Sequence, residues 1–226
     1  MSVTRRVALS VLCVIVALCT VSAADLSRYR EFDLGSSVEA VTAVTRTAER
    51  DLKTIHSRPA LLQEVAWQPR YMSGAPVADR GSINEIVFSF VDDRLFRMTV
   101  TYDRARTIGL TNADMVAALT DMYGTANTPV QTRASVEATD GVTVLAEWQH
   151  ADTHVVLRRS AYNESFSMVI ASLPLEAIAR KARTTALVLD AREAPALEAA
   201  LAKKRADDLH QADEQARTAN KKVFKP

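Results

Sequence analysis

Two histidines are the most direct candidates for metal chemistry in this chain. His150 and His154 bracket a short turn at 151–153, and Glu147 lies three residues before the first of them. Imidazoles that face each other across a hairpin could share a metal ion, because imidazole nitrogen is a common zinc ligand. No third ligand can be argued, and the spacing lacks the HExxH pattern of a helical zinc site. We interpret the histidines as polar residues of an exposed turn, and we predict no metal and no cofactor.

Neighbouring carboxylates at Asp92 and Asp93 are the second candidate for chemistry. Acid–base catalysis needs separated carboxylates that converge on one substrate, whereas adjacent residues of a turn point in different directions. Aspartate is frequent in turns, so this pair predicts a hairpin turn. His56, Arg58 and Pro59 lie between two strand candidates and indicate a second turn.

The motifs of the common enzyme classes are missing from the sequence. It has no G-x-S-x-G elbow, no P-loop and no glycine-rich dinucleotide fingerprint, and it contains only 6 glycines. Both cysteines, Cys13 and Cys19, lie in the N-terminal segment, so the rest of the chain cannot support thiol catalysis or thiolate metal sites. We predict a non-catalytic protein, with an unrecognised hydrolase as an alternative.

Two further groups of residues are candidates for binding. Trp67 and Trp148 occupy matching places in the two halves of the chain, each among the apolar positions of a strand. They are interpreted either as core residues or as the lining of a ligand groove between the halves. The C-terminal residues could touch an anionic surface such as a membrane or cell wall, or could simply complement a helix dipole. These candidate partner-binding residues are Lys221, Lys222, Phe224 and Lys225.

The first two dozen residues predict where the protein acts. Arg5 and Arg6 precede an almost purely apolar run at 7–19, and small residues follow at 21–23. This order is typical of a secretory signal peptide cleaved after Ala23. The run is short for a membrane span of about 20 residues, although an uncleaved anchor remains the alternative. We therefore expect a periplasmic or secreted protein.

The composition limits the classes of partner. The formal net charge is +1, which gives no general case for nucleic-acid binding. Removal of the signal would leave about 200 residues, enough for one sizeable domain with its own core or for two small ones. No second long apolar run follows the first. We expect an envelope protein or a cell-wall component as the partner, and no membrane span after cleavage.

Two segments carry the chemistry of helix starts. Ser36 and Glu39 match a capping box, and an apolar face would follow it. Thr111 is the expected cap of a second helix, with Asp114 in its first turn and Gly124 at its end. The predicted apolar face of the first helix is Val38, Val41, Val44 and Ala48. That of the second is Val116, Leu119 and either Met122 or Tyr123.

Strands are expected between and after these helices. Apolar residues alternate with polar or less apolar ones at 61–67 (where Gln63 is the polar exception), 86–90, 96–102, 142–148 and 166–170. A short apolar run at 155–157 is a further strand candidate. The hairpin at 84–103 is the clearest of these, with one face made of Phe96, Met98, Val100 and Tyr102. The order is a helix and then strands, twice, so we predict an α+β fold of two helix-plus-antiparallel-sheet halves, with a possible internal repeat.

The C-terminal part of the chain differs in composition. Alanine and charged residues dominate it, and a long charged helix is expected, with residues 184–189 as an alternative strand and Pro195 as a helix start or kink. A core-facing stripe is predicted at Leu175, Ile178, Ala182 and Leu189. The domain organisation is then a signal peptide at 1–23, a first half at 24–106, a second half at 107–173 and a helical tail at 174–226.

One family resemblance accompanies these patterns. The segment 34–41 resembles the Gly-Met-Ser/Thr-x-x-x-Val start of the BamE (SmpA/OmlA) family, and the segment 119–124 is similar to the helix-to-glycine exit of that pattern. Members of that family are small periplasmic-side lipoproteins of the outer-membrane assembly machinery, with helices packed on a three-stranded sheet. The chain lacks their lipid-bearing cysteine. The resemblance implies an exported bacterial interaction module, which is the function we expect.

Overall fold

The structure is a computed structural model that describes residues 25–69, 81–129, 141–223 and 225. The predicted signal peptide, with Cys13 and Cys19, lies outside the described residues, as does Phe224. The helices are α1 Val38–Thr45, α2 Arg104–Thr107, α3 Asn112–Tyr123 and α4 Leu173–Val223. The strands are β1 Arg28–Tyr29, β2 Phe32–Asp33, β3 Lys53–His56, β4 Leu62–Trp67, β5 Ile83–Val91, β6 Arg94–Tyr102, β7 Thr128–Pro129, β8 Val142–His150, β9 Thr153–Ser160 and β10 Phe166–Ser172.

One antiparallel sheet of eight strands contains all strands from β3 onward, in the order β3-β4-β5-β6-β10-β9-β8-β7, and β1 and β2 form a separate short hairpin. The α+β prediction is therefore confirmed. The expectation of one sheet for each half is wrong, because the last strands of the two halves, β6 and β10, pair with each other. This pairing protects both edges that the halves would otherwise expose.

The two halves share the same topology, since each has a helix followed by a meander of four strands. The halves meet in an antiparallel ladder in which Thr99 is paired with Val169. An antiparallel junction between equivalent strands relates the halves by an approximate two-fold axis perpendicular to the sheet. Equivalent helices must then lie on the same face, and α1 and α3 both pack into the same hydrophobic core.

We call the face under α1 and α3 the core face and the opposite one the outer face. Val100 of β6 and Met168 of β10 are fully buried on the core face. Phe96 departs from the predicted alternation because it is the extra residue of a β-bulge. Its neighbours Arg97 and Leu95 pair with the consecutive residues Ser89 and Phe90. This bulge turns Phe96 to the outer face, where it packs with α4.

The start of α1 differs from the predicted capping box. The N-cap is Ser37, whose Oγ accepts a hydrogen bond from the Ala40 N–H at 3.2 Å. Ser36 instead contributes its carbonyl, which accepts from the Leu95 N–H at 2.8 Å. The helix is shorter than expected and ends at Thr45, and Val44, placed on its apolar face by the sequence, is exposed.

The start of α3 agrees with the sequence. Thr111 and Asp114 form a capping box with both reciprocal hydrogen bonds, and the helix ends at Gly124. Its buried residues are Met115, Leu119 and Tyr123. Of the two predicted alternatives, Tyr123 is therefore the core residue and Met122 is 54% exposed.

The tail is a single helix, α4, of 51 residues. The segment 184–189 is helical, so the alternative of a strand is wrong, and Pro195 lies inside the helix. Ile178 is exposed, contrary to prediction, because the buried face is made of Leu175, Ala179, Ala182 and Ala186. Small alanine side chains let the helix lie close against the outer face.

Candidate functional site

The two candidate tryptophans are packed on the core face in both halves. Trp148 is 1% exposed, lies 6.1 Å from the ring centre of Tyr123, and donates from Nε1 to the Gly124 carbonyl at 2.7 Å. Its indole leaves no surface for a ligand, so the prediction that Trp148 lines a groove is wrong. The continuous sheet between the halves also replaces the expected cleft.

Trp67 lies at the equivalent place in the first half and is partly buried. Its ring meets Phe32 edge-on with 5.7 Å between centroids, and Phe32 in turn packs on Phe88. Trp67 Nε1 is buried and has no hydrogen-bond partner among the described residues. The indole thus joins the short N-terminal hairpin to the core.

The histidines do not form a shared site. His150 is paired with Thr153, whereas His154 is paired with Gln149, the neighbour of His150. Opposite residues share a face and successive residues alternate, so the two imidazoles lie on opposite faces of the sheet. His154 instead lies 3.7 Å from Glu147. Within the described ranges, no three His, Cys, Asp or Glu side chains cluster closely enough to hold a metal ion.

The two neighbouring aspartates lie in a turn and bind backbone amides of other segments. Asp92 and Asp93 have φ values of 46° and 62° in the two-residue turn between β5 and β6. Asp92 accepts from the Leu61 N–H at 2.9 Å, and Asp93 accepts from the Val38 N–H at 2.8 Å. Both carboxylates are therefore bound to backbone amides rather than directed at a substrate.

The turn between β3 and β4 contacts α4. Arg58 forms two hydrogen bonds with Glu193, and the pKa of the Glu193 carboxyl is lowered by this contact. Asp190 lies 3.7 Å from Arg58 and 3.8 Å from His56. These contacts hold α4 at the sheet edge formed by β3 and β4.

Beyond these contacts the helix extends into solvent. We call residues 194–223 the projecting helix; every one of them is exposed. At 1.5 Å per residue it is about 45 Å long. Leu197, Leu201 and Leu209 are its large exposed apolar residues before the C-terminal Val223. The candidate lysines Lys221 and Lys222 lie exposed at its end, and Lys225 is exposed beyond it.

A cluster of four arginines lies where α4 crosses the outer face, and we call it the arginine groove. It comprises Arg97 from β6, Arg158 from β9, and Arg180 and Arg183 from α4. Burial lowers the pKa of Arg97, and the positive charges of Arg158, Arg183 and Arg180 lower it further, while Glu64 opposes them. The sequence offers no signal for this cluster, because its members come from three separate elements.

Comparison with known proteins does not identify a family for this chain. No protein-family model, no curated protein and no solved structure matches the chain. Along the described residues, no helix has the combination of length and apolar character needed to cross a bilayer. The function must therefore be argued from the surfaces themselves.

Proposed function

We propose that this protein is an exported, non-catalytic interaction module that binds a macromolecular partner through its projecting helix. The partner is expected to be an envelope protein or a cell-wall component. The observation that carries the proposal is the exposure of all residues of 194–223 in a helix that continues unbroken from the part packed on the sheet.

The projecting helix has no part in stabilising the core. Most helices in proteins are held by the packing of one apolar face, and this one has no such contact. Its helicity must come from its own sequence, which is rich in alanine, leucine, lysine, arginine and glutamate, all strong helix formers. A long, preformed and unpacked helix is available to a partner at little cost in ordering entropy.

The surface of the projecting helix suits a macromolecule better than a small ligand. Helical turns that carry charged side chains of both signs separate its leucines, so the helix surface forms no enclosed pocket. Leu197, Leu201 and Leu209 can provide apolar contact area, and the surrounding charges can set the orientation of a partner. The signal-like residues 1–23 and the resemblance of 34–41 to BamE support an exported protein of this kind.

A truncation test follows from the geometry. A chain ending at Glu193 keeps the ion pairs of Arg58, so it should melt at the temperature of the full chain. Both forms, and a matched Leu197→Ala/Leu201→Ala variant of full length, would be used as bait against envelope extract from the source organism. We expect a partner that is enriched by the full chain, weakened by the double variant and lost with the truncated chain. Equal recovery by all three baits would contradict the proposal.

A further inference from the structure

The arginine groove brings together more positive charge than the fold requires. Arg97 forms an ion pair with Glu176, and Glu64 lies near it and accepts a hydrogen bond from Ser89 at 3.2 Å. Arg97, Arg180 and Arg183 together with these two carboxylates leave a formal charge of +1. No carboxylate among the described residues lies within ion-pair distance of Arg180 or Arg183, which are three positions apart on α4.

The positions of these arginines follow from the way α4 crosses the sheet. Leu175, Ala179 and Ala182 face the sheet, so Arg180 and Arg183, each one position further along the helix, lie at the margin of the contact. Arg97 is on the outer face because it alternates with the buried Met98 of the core face. A cavity of about 120 Å³ lies between the helix and β6 at this margin.

The cavity has a mixed lining that suits a small anion. Phe96 and Ala179 provide apolar walls, while Arg97, Arg180 and Arg183 provide guanidinium groups, with Glu176 at the side. A guanidinium forms charge-assisted hydrogen bonds with an anion that enters such a cavity.

The chemistry of arginine indicates which anion fits. A guanidinium stays protonated in proteins, so the repulsion among these groups cannot be relieved by loss of a proton. It can be relieved by a bound anion, and the planar fork of arginine matches phosphate oxygens in pairs. The cavity volume of about 120 Å³ gives room for one such group rather than for a polymer.

We propose that the arginine groove binds one tetrahedral oxyanion, the phosphate group of a small soluble ligand. Arg97 and Arg183 bind its oxygens from the sheet and from the helix, Arg180 adds a third positive charge, and Phe96 closes the base of the cavity. The site is separate from the projecting helix, so it can be present whether or not the helix binds a partner.

The test is titration of the full-length protein with inorganic phosphate at low salt, with the binding measured by calorimetry. Arg180→Gln and Arg183→Gln each remove one charge and should weaken phosphate binding about tenfold, which is the effect of losing about 1.4 kcal/mol. Arg192→Gln removes an exposed arginine of the same helix outside the cavity and should leave binding unchanged. Sulfate should compete with phosphate because it has the same shape, and planar acetate should not.

Thermal melting without phosphate distinguishes a lost ligand from a damaged fold. Arg183→Gln relieves repulsion, so its melting temperature should not fall below that of the wild type, while the added stability given by phosphate should be reduced. Phosphate binding that is absent, or that weakens equally in Arg183→Gln and Arg192→Gln, would overturn the proposal. So would binding to vesicles of anionic phospholipid without binding to inorganic phosphate, because the ligand would then be a membrane surface.

Discussion

The contact between the β5–β6 turn and α1 allows a sharp test of how the first half is held together. Asp93 accepts from the N–H of Val38, the first residue of α1, across 55 positions of sequence. Two substitutions separate the role of this oxygen from the role of the turn. Asp93→Asn keeps an acceptor and tolerates the positive φ of 62°, whereas Asp93→Gly keeps only the turn.

The expected magnitudes follow from known capping energies. Loss of a capping acceptor costs about 0.5–2 kcal/mol, and we expect about 1 kcal/mol for Asp93→Gly. Asp93→Asn loses only the attraction between charge and helix dipole, about 0.3–1 kcal/mol at an exposed site, and we expect the lower end. For a protein of this size, about 1 kcal/mol lowers the melting temperature by about 2–4 °C.

Urea unfolding of the two variants and the wild type, at one pH and ionic strength, measures these differences. We expect the stability order wild type, Asp93→Asn, Asp93→Gly. If Asp93→Gly were as stable as the wild type, the contact with α1 would carry no energy and the reasoning would fail. If Asp93→Asn were as unstable as Asp93→Gly, the charge rather than the acceptor would be responsible.

Two further predictions concern buried aromatic residues. Burial raises the pKa of Tyr29, Tyr102 and Tyr123, so above about pH 10 the tyrosines of the unfolded chain lose their protons before those of the folded protein do. The free energy of unfolding should therefore be level from pH 7 to 9 and then fall by up to about 4 kcal/mol per pH unit. Urea unfolding at pH 9, 10 and 11 measures this fall, and an unchanged slope in Tyr123→Phe would contradict it. Trp148→Phe loses the hydrogen bond from Nε1 to the Gly124 carbonyl and should lower the free energy of unfolding by about 1–3 kcal/mol, measured with urea. Trp67→Phe should lower it less, because Trp67 Nε1 has no hydrogen-bond partner among the described residues. The reverse order would contradict the role given to the Trp148 hydrogen bond.

Local patterns predicted most of the secondary structure because local forces decide it. The capping box of Thr111 and Asp114 needs only residues three apart, and the alternation in β5 and β6 needs only one buried face. Where these predictions failed, a distant contact was responsible. The cap at Ser37 rather than Ser36 follows from the pairing of Ser36 with Leu95, and the outward turn of Phe96 follows from a bulge against β5.

The candidate sites were harder to predict, for the same reason. Burial of Trp148 depends on α3 lying over it, and the separation of His150 from His154 depends on the register of β8 and β9. Neither fact is contained in the spacing of residues along the chain. The arginine groove is the clearest case, since its members are brought together by the strand order of the sheet and by the path of α4 over the outer face.

The sequence by itself determined that the chain forms an α+β fold with alternating strands, two helix starts and a charged helical tail. These features depend on neighbours within a few residues, where propensity, capping and periodicity act. Only the tertiary structure decided that the halves join into one sheet through β6 and β10, and that α4 packs for its first turns and then projects into solvent. Those outcomes depend on hydrogen bonds between strand edges and on alanine contacts between elements distant in sequence, whose energies no local pattern records.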